Sequence, residues 1–140
     1  MFVPGTIDLD ASELVRVDRF GVAEPLSEPR RYTYVPAVSP DGTRLVVTSN
    51  SRLFLYDLRR GSRTGLTQGG IHPQWSADGH RVYFNWFPGG DGDLFVVSAD
   101  GSGKPEALVK RPFDQGVVDT SADGRLLVFE ETHPETGWWS

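Results

Sequence analysis

The chain has no cysteine among its 140 residues, which excludes disulfides, thiolate zinc sites and a thiol nucleophile and leaves the redox compartment unread. It also lacks any run of about 18 apolar residues, and Met1 to Asp10 carry neither a basic nor an apolar leader region. The chain as given is therefore expected to be neither exported nor anchored, with a cytoplasmic setting favoured. Positive charge is scarce: 14 Lys and Arg stand against 19 Asp and Glu for a net charge of -5, and the pI is near 5.1. Such a surface argues against phosphate backbones and anionic membranes as partners. What the chain has in quantity is turn formers, 16 Gly and 10 Pro spread without a period, a pattern of many tight turns rather than of disorder or collagen. With 38% hydrophobic residues and a mean hydropathy of -0.34, the composition fits one globular domain with a single core.

A tetrapeptide organises the rest. Ser39-Pro40-Asp41-Gly42, Ser76-Ala77-Asp78-Gly79 and Ser121-Ala122-Asp123-Gly124 are spaced by 37 and 45 residues, and each precedes a β-rich run: Arg44–Thr48, Arg81–Trp86 and Arg125–Phe129. Serine and aspartate bond nearby backbone, and glycine accepts the left-handed conformation that closes a turn, so Ser39, Asp41 and Gly42, Ser76, Asp78 and Gly79, and Ser121, Asp123 and Gly124 are read as hairpin tips. Third strands follow at Leu53–Tyr56 and Leu94–Val97, each ending in a polar turn that closes at Gly61 or Gly101. Short fourth strands lie around Leu66 and Ala107-Leu108. The approaches Ile71–Trp75 and Gly116–Asp119 supply the first strands of the next units. Four short strands in a period of roughly 40 residues signal a propeller blade.

The same offsets recur at the ends. Leu14 leads to Gly21 as Leu94 leads to Gly101, and Leu26 precedes Ser39 as Leu108 precedes Ser121, so the first segment reads as strands three and four. Ser12 capping a helix over Ser12–Phe20 is the competing reading. The expected architecture is all-β, a partial β-propeller of four-stranded antiparallel blades: a half blade (14–33), two blades (34–70 and 71–115) and a truncated blade (116–140). Because such a segment leaves blade faces and strand edges open, completion to six blades by a homodimer is expected, or membership of a larger propeller.

These motifs resemble the TolB-like, WD40-like (PD40) β-propeller repeat family, whose pattern runs through an aromatic residue, S-P-D-G, a basic residue, a strand, and an acidic-apolar-aromatic third strand. The matches are Val38 to Arg44, Trp75 to Arg81, Thr120 to Arg125, and Asp93-Leu94-Phe95-Val96-Val97 as third strand. The departures are alanine for proline at 77 and 122, and Val38 and Thr120 where only Trp75 keeps the aromatic. The resemblance is greatest to propellers linked to bacterial serine/threonine kinases. It implies a non-catalytic partner-binding role, or a gating or sensing role beside a kinase or a prolyl-oligopeptidase-like serine peptidase. No kinase motif is present in the chain itself.

No catalytic constellation is found. Gly-x-Ser-x-Gly and His-Glu-x-x-His are absent, and Gly101-Ser102-Gly103-Lys104 lacks the flanking residues of a phosphate loop and reads as a turn. His72, His80 and His133 occupy non-equivalent blade positions without metal-ligand spacing, and Asp91 and Asp93 offer too few carboxylates for calcium, so neither a metal nor a cofactor is expected. Arg59, Arg60 and Arg63 form a small basic tip, either solvated surface or a site for a phosphate or acidic peptide. Trp86 and Phe87 end a second strand at the loop level where partners bind, or pack between blades. Trp138 and Trp139 are expected to be buried against another chain or to begin an interrupted strand. A protein, peptide or small ligand is thus expected on the loops Asn50-Ser51, Phe87–Gly92, Gly69-Gly70 and Pro112–Gln115, with Trp86, Phe87, Asp91, Asp93 and His72 as candidate contacts.

Overall fold

Each Ser-x-Asp-Gly turn is held by one repeated set of hydrogen bonds. In the first, the Ser39 hydroxyl donates to Asp41 Oδ1 at 2.7 Å and accepts from the Arg44 N–H at 3.0 Å, while Asp41 Oδ1 accepts from the Thr43 N–H at 3.0 Å. Ser76, Asp78, His80 and Arg81 repeat this at 2.6–3.0 Å. So do Ser121, Asp123, Arg125 and Leu126 at 2.7–3.0 Å. The closing glycines, Gly42, Gly79 and Gly124, all sit at φ +74°, where a Cβ is strained. The third turn corrects the sequence alignment. Leu126, not Arg125, takes the place of Arg44 and Arg81, because Leu126 closes the hydrogen bond to its serine.

In the computed structural model, residues 11–26, 31–89, 92–111 and 114–132 are described, and they contain strands and turns but no helix. Contacts divide the chain into Met1–Tyr32 and Thr33–Ser140. In the first unit, β1 (Val15–Val17) and β2 (Ala23–Pro25) pair antiparallel, with Val15 opposite Pro25. Asp18 shapes their turn by accepting from the Phe20 and Val22 N–H groups at 2.8 and 3.0 Å. The strand reading of this segment therefore holds over the helical one, with Leu26 just beyond β2.

In the second unit, β3 (Tyr32–Val38), β4 (Arg44–Ser49), β5 (Arg52–Asp57) and β6 (Ser62–Gly65) form a four-stranded sheet in sequence order. A second sheet contains β7 (Ile71–Trp75), β8 (Arg81–Trp86), β9 (Asp93–Ser98) and β10 (Glu106–Val109), and a third pairs β11 (Gln115–Thr120) with β12 (Leu127–Glu131). β12 begins two residues later than expected. Leu66 falls just after β6 rather than within it.

The sheets of the second unit stack face to face, and the second strand β4 loses the alternation of a half-exposed strand. Leu45, Val46, Val47, Thr48 and Ser49 of β4 are all buried. Val46, Leu53, Trp75, Val82, Phe84, Val97 and Ala99 form one core between the first two sheets. Its polar seam is specific: the Trp75 indole N–H donates to the Ala37 carbonyl at 2.8 Å, and the Arg44 guanidinium lies 4.7 Å from the Trp75 ring centre and donates to the Gly79 carbonyl at 2.6 Å. The next seam is tied by Thr120, whose hydroxyl donates to the Trp75 carbonyl at 3.1 Å, and by Gln74, which donates to Asp119 at 3.1 Å.

Candidate functional site

The rim opposite the Ser-x-Asp-Gly turns carries the loops between second and third strands and between fourth and first strands. At the end of the β8–β9 pair, Trp86 stands opposite Asp93. The Trp86 indole meets Phe95 edge-on at 5.2 Å and lies so close to Gly69 that a Cβ there would collide with it. Phe87 packs on the backbone of Gly92, where an added Cβ would be 2.6 Å from the ring, yet Phe87 remains 45% exposed. Asp93 is only 7% exposed, and among the described residues its Oδ1 has no hydrogen-bond partner. A buried carboxylate oxygen left unbonded is costly.

Asn85, absent from the sequence-derived candidates, and Asp114 and Gln115 of the candidate loop Pro112–Gln115 hold this rim together. The Gly92 N–H donates to Asp114 Oδ1 at 2.6 Å, the Gln115 N–H donates to the Gly92 carbonyl at 2.8 Å, and the Asn85 amide donates to the Gln115 carbonyl. Asn85 and Gln115 are buried. The signal for Asn85 was present in the sequence: a lone amide inside the apolar run Val82 to Trp86 must find a partner across the strand. Gln115 and Asp114 fall in a loop the sequence had named, but their pairing was not readable, because the partner, Gly92, is more than twenty positions away.

His72 goes elsewhere. It lies on β7 at φ +53°, and its ring meets that of Tyr34 (φ +65°) edge-on at 4.4 Å. The structure thus joins Trp86, Phe87 and Asp93 on one rim and pairs His72 with Tyr34, a residue the sequence did not single out. Asp91 lies outside the described residues, as do His133, Trp138 and Trp139. Asn50 and Ser51, at φ +51° and +58°, make the two-residue β4–β5 turn. The Ser51 carbonyl accepts from the Gly70 N–H at 2.9 Å, which ties two of the candidate loops.

The basic tip is partly engaged within the chain. The Arg63 guanidinium lies 4.4 Å from the Phe54 ring centre, and Arg60 pairs with Asp57 at 4.0 Å. The same end holds a further Ser-x-Asp-Gly copy, Ser98-Ala99-Asp100-Gly101, between β9 and β10. There Asp100 accepts from the Ser98 hydroxyl at 2.8 Å and the Ser102 N–H at 2.7 Å. The tetrapeptide is therefore a general hairpin closure and not a marker of first-to-second-strand turns alone. Hydrogen bonds to the ionised form lower these carboxyls. Ser102 and Ser98 hold Asp100 at about 2. The Ser39 hydroxyl leads the lowering of Asp41, Ser76 that of Asp78 and Ser121 that of Asp123, and the Arg60 N–H leads that of Asp57.

Antiparallel four-stranded sheets of about 40 residues, stacked one on the next through their first strands, define a segment of a β-propeller. The fold is TolB-like. The chain is similar to TolB from Acinetobacter baumannii (TM-score 0.74, 20% identity over 86% of this chain) and to a putative TolB from Agrobacterium tumefaciens (0.67, 20%, 91%). It is also similar to the tricorn protease (0.65, 16%, 87%). The chain spans 32%, 52% and 14% of those three chains, respectively. No protein-family model and no curated protein matches the sequence. The structural matches bear on the propeller and not on a linked kinase. Among the described residues, no helix is long and apolar enough to cross a membrane.

Proposed function

We propose that the chain is a non-catalytic binding module that takes a protein or peptide on the rim of Trp86, Phe87 and Asp93. The observation that carries this reading is the half-exposed Phe87 ring beside a buried carboxylate with an unbonded oxygen. An apolar anchor next to an acceptor that wants a donor is the chemistry of an interface hot spot. Peptides selected by display against the immobilised chain test it. Their affinities should fall about tenfold for Phe87→Ala and for Asp93→Asn, with the unfolding midpoint nearly unchanged. Selected peptides indifferent to both changes would refute the rim as the site.

The similarity to the tricorn protease, of which the chain spans 14%, favours a second reading. In it the propeller gates or senses for a larger enzyme, a peptidase or a serine/threonine kinase. Ligand binding at the rim that changes the turnover of a covalently linked catalytic domain would select this reading.

Self-association belongs to the same proposal. β11–β12 is a two-stranded sheet that exposes Leu126 (66%) and Val128 (54%), and the β1–β2 hairpin exposes Val15, Val17 and Val22. In the blade order these are strands one and two and strands three and four. The β1–β2 hairpin of a second copy placed beside β12 restores the four-stranded sheet seen twice in the chain.

A further inference from the structure

The seam between the second and third sheets contains a cavity of about 300 Å³, lined by Arg81, Tyr83, Leu108, Thr120, Gly124 and Leu127 among others. Its position in the repeat gives it meaning. Five residues after Ser39 stands Arg44, and five after Ser76 stands Arg81. Trp75 directly precedes Ser76, as Thr120 directly precedes Ser121, and Gly79 and Gly124 close the two turns. In the first seam the Trp75 indole fills the space beneath the Arg44 guanidinium, and Arg44 is anchored on the Gly79 carbonyl. In the second seam the arginine and glycine are kept, threonine replaces the indole, and the space is open. Among the described residues Arg81 makes no side-chain hydrogen bond and no ion pair within 4.0 Å, and its charge acts on Asp78, which lines the same cavity. Its guanidinium has neither the ring nor the carbonyl that Arg44 has.

We propose that this cavity is a binding slot for an indole ring, presented as a tryptophan side chain of a partner protein. The occupant follows from the chain's own first seam, where the same frame holds an indole. Arg81 supplies the cation for the face of the ring, and Tyr83, Leu108 and Leu127 supply the apolar walls. The volume lies at the lower end of the range for ligand pockets, roughly 300–1,000 Å³, which suits one ring and not an extended ligand. Trp75 occupies its slot beside a complete four-stranded sheet, so filling this slot does not depend on whether β12 is paired. The slot also lies at the Ser-x-Asp-Gly turns, away from the rim of Phe87 and Asp93, and stands independently of the function proposed for that rim.

The test is a titration of the full chain with N-acetyltryptophanamide, followed by amide and side-chain chemical shifts. Shifts confined to Arg81, Tyr83, Leu108, Thr120 and Gly124 are expected. Arg81→Gln should weaken binding about two- to fivefold, the fold-change of one exposed cation–π contact. Thr120→Trp, which installs the missing ring, should abolish binding and raise the unfolding midpoint. Absence of shifts at these residues at millimolar probe would overturn the proposal, as would equal binding of the cyclohexylalanine analogue or undiminished affinity in both variants. Tighter binding by a Trp138→Ala/Trp139→Ala variant would make the chain's own tryptophans the occupant and overturn the assignment to a partner.

Discussion

The turn aspartates show how much a single side chain does here and how locally it acts. Asp41, Asp78, Asp123 and Asp100 each accept a serine hydroxyl and a backbone N–H from within two positions, and this lowers their carboxyls. A carboxyl lowered in the fold stabilises it fully above the ordinary value of 3.8, and that contribution is lost as pH falls from there through the lowered value, about 2 for Asp100. Urea unfolding midpoints should therefore be level above about pH 5 and fall steeply below it. Replacing all four by asparagine should flatten that fall, and an unchanged acid limb would show that the turns do not set it. Because each turn is closed by residues within five positions, the hairpin tips were legible in the sequence. The basic residue was not: Arg125 matched the repeat by eye, but the hydrogen bond from the Leu126 N–H to the Ser121 hydroxyl shows that the third turn has the same length as the others and that Arg125 stands one position before the place of Arg44 and Arg81.

At the scale of elements, burial separates strands that look alike in sequence. β4 and β12 are both β-rich apolar runs, but Val46 and Val47 are enclosed whereas Val128 of β12 and Leu126 just before it face solvent. Leu53→Ala and Phe84→Ala should each cost about 2–5 kcal/mol in equilibrium unfolding, since both leave cavities in the shared core. Leu126→Ala should change the midpoint little. Comparable losses from all three would mean that the β12 face is covered in solution. The existence and order of the strands were readable from the repeat offsets, because strand and turn alternate with local chemistry. The rim was only half readable. Trp86, Phe87 and Asp93 announced themselves by type, but the Asp114, Gln115 and Asn85 frame depends on loops that meet across the seam. His72 was picked by type alone, and its ring contact, Tyr34 on the neighbouring sheet, was not readable from the sequence.

For the molecule as a whole, the exposed apolar residues at β12 are the surface that association would cover. If a second copy covers that surface, light scattering should give twice the 15.5 kDa of one chain, stable on dilution. Val128→Lys, which places a charge on that face, should shift the mass to a monomer without loss of strand content. A wild-type monomer that unfolds cooperatively would exclude the completed ring. A different consequence follows from the reach of the Trp75 indole. Its hydrogen bond to the Ala37 carbonyl spans 38 residues, whereas the turn bonds beside it span two to five. Short loops close early at little entropic cost, and distant pairs close only when both hairpins already exist. Trp75 should therefore be silent while the hairpins form and should change its fluorescence when one sheet docks on the next, which makes it a built-in clock for the slowest step of folding.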